Sequence, residues 1–249
     1  MELKNKVVLI TGSSSGIGKA TALRFAKEGC KLVINYHKNR KGGEETLKGI
    51  RKIGSEAILV KADISKPKEI EKLFKIAFKK FRRIDILINN AALTGDTRRE
   101  FLDTPPKKIL EVINTDLISV MICSQHAVKI MRKRGGKILN TSSIRGIDYA
   151  GSTGSMVYAA AKAGVNSFTK TLAKKVAPTI LVNAIAPGHV KTRAYDGRKP
   201  ADIKNLINKT YLKRFITPEE IADAFVFLAK NDAITGQVIT VDAGRTLLG

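Results

Sequence analysis

The sequence predicts an α/β fold: a doubly wound parallel sheet of about seven strands, with helices on both faces and a small helical lid. Short apolar runs alternate with helical patterns along the whole chain. These runs are continuous rather than alternating in polarity, which is typical of strands buried on both faces of a parallel sheet. No linker, low-complexity tract or fixed-period repeat interrupts the pattern, so residues 1–249 are expected to form a single domain.

The individual elements follow from local signals. Strands are predicted where short apolar runs are bounded by polar or turn residues, at 6–10, 32–35, 57–60, 84–89, 137–140, 180–185 and 237–241. Helices are predicted at 18–28, 44–53, 66–80, 105–132, 156–176 and 218–229. Ser65 and Thr217 are the predicted N-caps of two of them, because their hydroxyl groups can accept hydrogen bonds from free backbone N–H groups.

The bulk composition indicates a cytoplasmic protein. No opening segment has the pattern of a signal peptide, and no apolar run approaches the roughly 20 residues of a membrane-spanning helix. The two cysteines, Cys30 and Cys123, are far apart, and no two of the three histidines have ligand spacing. Neither a disulfide framework nor a metal site is therefore predicted.

The charge balance is unusual, with 45 Lys and Arg residues against 22 Asp and Glu residues and a net charge of +23. Such an excess indicates either a nucleic-acid or acidic-protein partner, or a lysine-rich solvated surface. The lysines are spread over nearly all predicted helices rather than grouped on one element. We therefore favour the solvated surface, predict no specific nucleic-acid partner, and expect only weak adventitious binding to polyanions.

A glycine-rich turn follows the first predicted strand and opens the first helix. Its glycines permit a tight turn and let the backbone approach a pyrophosphate, while the helix N-terminus offers free N–H groups to the phosphates. The alternative is an ordinary turn between two elements. The strand before and the helix after favour a Rossmann-like dinucleotide site. Its predicted contact residues are Gly12, Ser14, Ser15, Gly16, Ile17 and Gly18.

Two further strand ends contribute to this predicted site, because ligands of open α/β sheets lie beyond the carboxyl ends of the strands. Asp63 and Ile64 follow the third strand, where the carboxylate can accept a hydrogen bond from an adenine amino group. A simple helix-entry role is the alternative for Asp63. Asn90 and Ala91 follow the fourth strand, where small residues leave room for ribose and nicotinamide.

The end of the second strand predicts NADP rather than NAD. NAD sites commonly place Asp or Glu here to bind the ribose 2′-hydroxyl. This chain has Tyr36, His37 and Lys38 instead, with no carboxylate and a basic loop up to Lys41. A 2′-phosphate is therefore favoured, with NADPH preferred and NAD as the alternative. The same charges also belong to the general lysine excess.

Tyr158 and Lys162 are the leading candidates for a catalytic pair. They are four residues apart in the predicted helix 156–176, so they share one face. An ammonium group close to a tyrosine favours the phenolate and lowers a pKa of about 10, which suits proton transfer near neutral pH. A second Tyr-x-x-x-Lys, from Tyr195 to Lys199, contains Gly197, which argues against a continuous helix there.

Together, these motifs resemble the short-chain dehydrogenase/reductase family over essentially the whole chain. The similarity is greatest to 3-oxoacyl-(acyl-carrier-protein) reductases and to glucose dehydrogenase-like members. The motifs that carry it occur in the family's order, at residues 11–18, 63, 89–91, 114, 141–143, 158 and 162, 187–192, 234–237 and 241–244.

The resemblance implies a role for each residue of the catalytic set. Tyr158 is the general acid of carbonyl reduction and the base of alcohol oxidation, and Ser143 holds the substrate oxygen. Lys162 binds the nicotinamide ribose and tunes the tyrosine, and Asn114 supports a water that links Lys162 to solvent. The cofactor contacts implied in addition to Tyr158 and Lys162 are Pro187, Gly188, Val190 and Thr192.

Several alternatives stay open for these roles. Ser142 is an alternative to Ser143. Tyr149 is an alternative to Tyr158, although Thr153 rather than a lysine lies four residues after it. Asn114 is a poor helix former in an apolar helix, and its alternative role is that of a harmless polar residue. His189 is expected to line the pocket rather than to carry a proton.

The expected activity is that of an NADP(H)-dependent oxidoreductase acting on CH–OH groups, which interconverts a carbonyl and a secondary alcohol by hydride transfer. A 3-oxoacyl thioester of a carrier protein or coenzyme A is the first expected substrate, and a sugar or polyol is the alternative. A non-catalytic dinucleotide-sensing or nucleic-acid-binding protein is the remote alternative. The resemblance further implies a homotetramer, a substrate lid at 191–216, and Arg134 as one contact for an acidic carrier protein.

Overall fold

The computed structural model describes residues 1–93, 101–147 and 153–248. Its centre is one seven-stranded sheet with the strand order β3-β2-β1-β4-β5-β6-β7, and every neighbouring pair is parallel. The doubly wound fold class predicted from the sequence is confirmed. The order reverses between β1 and β4, and the crevice at such a reversal is where ligands of open α/β sheets bind.

The strands lie close to their predicted positions. They are β1 (Val7–Ile10), β2 (Lys31–Tyr36), β3 (Ala57–Lys61), β4 (Ile86–Asn89), β5 (Gly136–Thr141), β6 (Ile180–Pro187) and β7 (Val238–Val241). The helices are α1 (Gly16–Lys27), α2 (Arg40–Lys52), α3 (Pro67–Phe81), α4 (Pro106–Ile113), α5 (Ser119–Met131), α6 (Met156–Val176), α7 (Pro200–Asn208) and α8 (Pro218–Lys230). None of the helices in the described ranges is long and apolar enough to cross a membrane.

The hydrophobic core lies on both sides of the sheet. Ile10 of β1 packs in one cluster with Phe25 of α1 and Phe225 of α8. Its neighbour Leu9 packs in the opposite cluster with Leu73 of α3. Successive strand residues point to opposite faces, and both faces are covered by helices, which explains why the strands read as continuous apolar runs. Full burial of a side chain such as Phe225 stabilises the fold by about 1.5–3 kcal/mol.

The start of α2 and the N-cap of α3 differ from the sequence prediction. Helix α2 begins at Arg40 rather than near residue 44, because the Asn39 side chain accepts a hydrogen bond from the Gly42 N–H at 3.0 Å and caps the helix. Helix α3 begins at Pro67 with Lys66 as its N-cap. The prediction of Ser65 as the N-cap is therefore wrong: the Ser65 hydroxyl instead donates to Asp63 Oδ1 at 2.7 Å.

The long helix predicted over 105–132 is interrupted by a π-helical turn at Asn114–Ile118, between α4 and α5. The Ser119 N–H donates to the Asn114 carbonyl, five residues back. Such π turns occur often at functional sites, because the wider turn rotates the side chains that follow. This turn lies against the helix that carries Tyr158 and Lys162.

Candidate active site

Helix α6 places Tyr158 and Lys162 on one face, as predicted. The Lys162 ammonium nitrogen lies 5.5 Å from the centroid of the Tyr158 ring. The lysine side chain is only 1% exposed, and its Nζ donates to the Thr141 carbonyl at the end of β5, at 3.0 Å. The ammonium group is thus fixed between the tyrosine and the carboxyl edge of the sheet.

Asp116, in the π turn, is the counter-ion of Lys162. Its Oδ1 lies 3.3 Å from Lys162 Nζ, and its side chain is 0% exposed. The other carboxylate oxygen accepts a hydrogen bond from the Leu93 N–H at 2.9 Å. Burial raises the pKa of the Asp116 carboxyl group, while the Lys162 charge and the Leu93 hydrogen bond oppose that rise.

The structure does not bring Asn114 to Lys162. Asn114 is exposed, and Asp116, two residues further on, occupies the place beside the lysine that the resemblance gives to an asparagine. The physical reason is helical phase. The buried residues Val112, Asp116, Ser119 and Cys123 recur every three or four positions, and in an α-helix a residue two positions away points about 200° around the axis.

Sequence reasoning missed Asp116, although two signals were present. The residue is in phase with the apolar face of its helix, and it is an acidic residue in an otherwise apolar run. An acid on a buried face is rarely tolerated without a partner. The observation identifies Asp116, rather than Asn114, as the polar group of this helix that contacts the lysine.

The two candidate serines have different environments. Ser142 is 2% exposed, and its hydroxyl donates to Asn166 Oδ1, which holds the end of β5 against α6. Ser143 Oγ accepts a hydrogen bond from the Arg145 N–H at 3.1 Å, so its own hydrogen can still be donated. This arrangement favours Ser143 over Ser142 as the residue that contacts a substrate.

Asn166 is a positioning residue that the sequence analysis did not identify. It lies four residues after Lys162 in α6, and its Nδ2 donates to the Gly146 carbonyl at 2.8 Å. A Cβ atom on Gly146 would approach the Lys162 carbonyl carbon to 2.5 Å, so only glycine allows this close packing. The loop after Ser143 is therefore held directly against the helix that carries Tyr158.

The glycine-rich turn has the close approaches that its sequence predicts. Gly12 and Gly16 have positive φ angles of 64° and 51°, a region that strongly favours glycine. A Cβ on Gly18 would lie 2.4 Å from the Gly12 carbonyl oxygen, and one on Gly16 would lie 3.3 Å from Thr192 Cγ2. The turn, the start of α1 and the segment after β6 therefore meet at one edge of the sheet.

The start of α1 suits a bound pyrophosphate. Ser15 is the N-cap of α1, but its side chain makes no capping hydrogen bond. The first N–H groups of the helix are thus not satisfied by this cap, and they carry the positive end of the helix dipole. Ile17, Gly18 and Gly16 are in this first turn, and Ser14 precedes it, so the predicted contact residues fit a dinucleotide phosphate.

Asn90 ties the glycine-rich turn to the end of β4. Its Nδ2 donates to the carbonyls of Thr11 at 2.9 Å and Gly12 at 3.1 Å. The Ala91 N–H donates to Thr11 Oγ1 at 3.1 Å. Asn90 therefore shapes the turn through its side chain, a structural role in addition to the cofactor contact that the sequence predicts.

A basic cleft of about 360 Å³ lies beyond the ends of β2 and β3. Tyr36, His37 and Lys38, the predicted cofactor contacts, line this cleft together with Arg40 and Lys61. Tyr36 and Lys61 face each other in the register of the two strands. No carboxylate lines the cleft, so its lining attracts an anion.

Asp63 lies beside this cleft, with its Oδ2 3.7 Å from His37 Nε2. Burial opposes ionisation of the carboxyl group, but hydrogen bonds from Ser65 and the charges of His37 and Lys66 lower its pKa overall. Asp63 is therefore an anion that also orders the entry to α3. Ile64, the next residue, is buried in the core cluster beneath α3.

Residues 187–192 follow β6 at the same edge of the sheet. A Cβ on Gly188 would lie 2.8 Å from Asp242 Cα, so the backbones of these two segments are in close contact. The segment 191–216 leaves and returns through one parallel bridge, Val190 to Ile216. It contains α7 and a short 3-10 helix, Arg193–Tyr195.

The second Tyr-x-x-x-Lys does not form a helical pair, as predicted. Tyr195 ends its 3-10 helix, and Lys199 is the N-cap of α7. The Tyr195 hydroxyl oxygen instead lies 2.8 Å from His189 Nδ1. The pKa of His189 is lowered to about 4, first by burial and then by the positive charges of Arg145, Arg245, Arg198 and Lys209. His189 is therefore neutral at pH 7.

Tyr149, the alternative to Tyr158 in the sequence analysis, lies outside the described residues.

Comparison with known proteins agrees with this geometry. The family model described as enoyl-(acyl carrier protein) reductase matches residues 12–246, nearly the whole chain. The chain belongs to the short-chain dehydrogenase/reductase family. It is therefore an oxidoreductase that acts on CH–OH groups and binds a nicotinamide dinucleotide, as the resemblance implied.

Three relatives illustrate how far the similarity extends in this short-chain dehydrogenase/reductase. A 3-oxoacyl-[acyl-carrier-protein] reductase of Synechocystis is 39% identical over 98% of both chains. Glucose 1-dehydrogenase 2 of Bacillus subtilis is 35% identical over 99% of this chain and 96% of its own. The crystal structure of a short-chain dehydrogenase from Burkholderia cenocepacia in complex with NADP has a TM-score of 0.90 at 27% identity, and covers 99% of this chain and all of its own.

Proposed function

We propose that this enzyme reduces the carbonyl of a 3-oxoacyl thioester to a secondary alcohol with NADPH. The observation that carries the proposal is the joint geometry of α6 and β5. Lys162 is held between Tyr158 and the end of β5, and Ser143 follows that same strand. The thioester is proposed because full-length relatives are named 3-oxoacyl-[acyl-carrier-protein] reductases.

Bound NADP(H) supplies the hydride in this chemistry. The chain's own residues bind and orient the substrate and move the proton. Ser143 donates a hydrogen bond to the carbonyl oxygen, which stabilises the negative charge that develops there. Tyr158 donates its phenol proton to the same oxygen during reduction and takes it back during oxidation. Lys162 orients the tyrosine, and Asp116 fixes the position of the lysine.

The cofactor contacts proposed here are the residues of the glycine-rich turn, the basic cleft, and the ends of β3, β4 and β6. Thr192 lies beside Gly16, and this closeness supports a contact of residues 187–192 with the proposed pyrophosphate site. Pro187, Gly188 and Val190 belong to that same segment. We further propose that residues 191–216 form the substrate lid, because both ends of the segment are held at one bridge and its middle is not part of the sheet.

A sugar or polyol is the second candidate substrate, and the similarity to glucose 1-dehydrogenase 2 favours it.

A carrier protein is a weaker candidate as a partner. Arg134, the residue that the resemblance assigns to carrier binding, lies just before β5, at the opposite edge of the sheet from Ser143. A homotetramer and a cytoplasmic location remain part of the proposal, by resemblance.

The test is a steady-state assay at 340 nm. It follows NADPH oxidation with acetoacetyl-coenzyme A and, in the reverse direction, NADPH formation from NADP⁺ with glucose. We expect NADPH oxidation with the thioester. Turnover of glucose alone would replace the thioester by the second candidate. No turnover with any carbonyl or alcohol would contradict the proposed activity.

Reversal of one charge in the basic cleft is predicted to weaken the preference for NADPH. Lys61→Glu places a carboxylate opposite Tyr36, where a 2′-phosphate would bind. A hydrogen bond to a charged group contributes about 1.5–3 kcal/mol, so the Kd of NADPH should rise by at least about tenfold, whereas that of NADH should change little. Kd values from nicotinamide fluorescence measure the effect.

Lys48→Glu is the matched control, since Lys48 is an exposed lysine of α2 that does not line the cleft. It makes the same change in net charge without touching the proposed phosphate site. An equal rise in the Kd of NADPH for both variants would mean that the overall charge, not the cleft, determines the preference.

A further inference from the structure

The buried pair of Lys162 and Asp116 brings two opposite charges to Tyr158. The Lys162 ammonium nitrogen lies 5.5 Å from the centroid of the Tyr158 ring, and Asp116 Oδ1 lies 3.3 Å from the same nitrogen. The two side chains are 1% and 0% exposed, and charges so deeply buried are little screened by salt. The phenol is therefore close to an ion pair rather than to a lone cation.

Separate contacts hold each member of this pair in place. The Leu93 N–H donates to Asp116 Oδ2 at 2.9 Å, and Lys162 Nζ donates to the Thr141 carbonyl at 3.0 Å. The π turn that carries Asp116 also packs closely against α6, because a Cβ atom on Gly164 would lie 2.9 Å from Leu117 Cδ2. The carboxylate and the ammonium therefore stay together at a fixed distance from the tyrosine.

The charge of Asp116 distinguishes it from the asparagine that the resemblance places beside the lysine. An asparagine amide can also accept the Leu93 hydrogen bond, but it carries no charge. Burial raises the pKa of the Asp116 carboxyl group, and the charge of Lys162 opposes that rise. The group is therefore a carboxylate in the alkaline range in which phenols titrate.

A compensated cation and a lone cation favour different forms of a nearby phenol. A lone ammonium favours the phenolate, the form that accepts a proton. A carboxylate beside that ammonium weakens the effect, because its charge has the opposite sign. The phenol then keeps its proton through neutral pH, and the protonated form is the one that acts as a general acid.

We propose that Asp116 holds the Tyr158 phenol in its protonated form at neutral pH by compensating the charge of Lys162, so that the enzyme is ready to reduce a carbonyl. Asp116 acts through Lys162 and does not have to touch the substrate. The inference rests on the proposed function, in which Tyr158 exchanges its proton with the substrate oxygen. In the reverse reaction a hydride passes from the alcohol carbon to NADP⁺, and the hydroxyl proton passes to the phenolate. Oxidation therefore requires the form of the tyrosine that Asp116 disfavours.

Other titratable groups act on Tyr158 equally in the wild type and in an Asp116→Asn variant. Arg145 attracts the phenolate, and Tyr195 of the proposed lid also interacts with Tyr158 electrostatically. His189, which contacts the Tyr195 hydroxyl, is neutral at pH 7 and above. Because none of these groups changes in the variant, a difference in pH dependence reports the carboxylate of Asp116.

The experiment follows the oxidation of 3-hydroxybutyryl-coenzyme A by NADP⁺ as a function of pH in the wild type and in Asp116→Asn. In both proteins kcat/KM should rise with pH to a plateau. The midpoint of the rise should lie about one pH unit lower in Asp116→Asn, the smaller end of the effect of a nearby charge. Relative to its plateau, oxidation at pH 7 should then be about tenfold faster in the variant.

Glu111→Gln is the matched control, because it also changes an acid to its amide. Glu111 belongs to α4, the helix before the π turn, and its side chain is exposed and paired with Lys108. Its midpoint should equal that of the wild type. Equal midpoints for the wild type and Asp116→Asn would overturn the inference, and a loss of stability in Asp116→Asn without a shift would leave Asp116 as a structural partner only.

A titration of phenolate absorbance gives the same midpoint without turnover. The difference in near-ultraviolet absorbance between a protein and its Tyr158→Phe counterpart isolates Tyr158, and it is recorded with Asp116 and with Asn at position 116. If no alcohol is oxidised and no carbonyl is reduced, the proposed function fails, and this titration still decides the inference by the same shift.

The wild-type midpoint decides the inference if Asp116→Asn does not fold. A midpoint above about pH 8.5, halfway between pH 7 and the value of about 10 for a free phenol, supports compensation by Asp116. A midpoint at or below that value, from the rate profile or from the absorbance titration, overturns it, because the ammonium would then act on the phenol as a lone cation.

Discussion

Tyr158→Phe should reduce turnover by about 10²- to 10⁴-fold, the range that general acid–base catalysis contributes, while NADPH binding stays unchanged. The variant removes only the phenol oxygen that carries the proton. The ring remains beside the Lys162 ammonium, which now lies 5.5 Å from its centroid. The loss should therefore appear in kcat rather than in the Kd of NADPH or in the thermal midpoint of unfolding.

Tyr211→Phe is the matched control for this variant. Tyr211 is 56% exposed and lies in the proposed lid, and it should keep nearly full turnover as phenylalanine. If Tyr158→Phe retained the wild-type kcat, the role of Tyr158 as general acid would be wrong. In a non-catalytic dinucleotide-sensing protein, which has no turnover to lose, Tyr158→Phe would likewise leave the function unchanged.

Asp116→Ala should destabilise the protein by about 3–5 kcal/mol, because it leaves the Lys162 ammonium buried without its counter-ion. The pair is fully inside the protein, with side-chain exposures of 1% for the lysine and 0% for the aspartate. Urea unfolding of wild type and variant measures the difference in the free energy of unfolding. The Leu93 N–H, which donates to Asp116 at 2.9 Å, also loses its acceptor.

Two controls isolate the buried pair. Glu111→Ala removes an exposed ion pair with Lys108, at 3.0 Å, and should cost no more than about 1 kcal/mol. Asp116→Asn keeps an acceptor for the Leu93 N–H but removes the charge. A loss of stability for Asp116→Ala no larger than that for Glu111→Ala would show that the buried pair is not a structural element.

The pH dependence of stability has a definite sign at this site. Burial raises the pKa of Asp116 in the folded protein above its unfolded value of about 3.9. The folded state then binds more protons than the unfolded state, so this contribution is fully present below about pH 4 and is lost as the pH rises through the folded pKa. The stability of wild type relative to Asp116→Asn should therefore decrease with rising pH across that window.

The fold could be predicted from the sequence because its signals are local. Continuous apolar strands, the glycine turn and the Thr217 cap each depend on a few neighbouring residues. The capping box at Thr217 formed as its sequence predicts, with the Thr217 side chain accepting from the Glu220 N–H and the Glu220 side chain from the Thr217 N–H. The Tyr158 and Lys162 pair was equally local, since it needs only helical spacing.

The parts that were missed depend on tertiary contacts or on helical phase. Lys61 joins the basic cleft only because β3 pairs with β2 in a register that sets it opposite Tyr36. The hydrogen bond from the Asn90 side chain to the Thr11 carbonyl joins residues that are 79 positions apart in the chain, and such a contact has no local signal. Asp116 depends on helical phase instead: the resemblance points to Asn114, whereas the burial period of the helix selects Asp116.

The most direct test of the account is the titration of the wild-type protein with NADPH and with NADH, followed by nicotinamide fluorescence. We expect a Kd for NADPH at least about tenfold below that for NADH, the effect of one charge-assisted contact between the basic cleft and the 2′-phosphate. A Kd for NADH equal to or below that for NADPH would contradict the proposed cofactor, and binding of neither would contradict the proposed dinucleotide site itself.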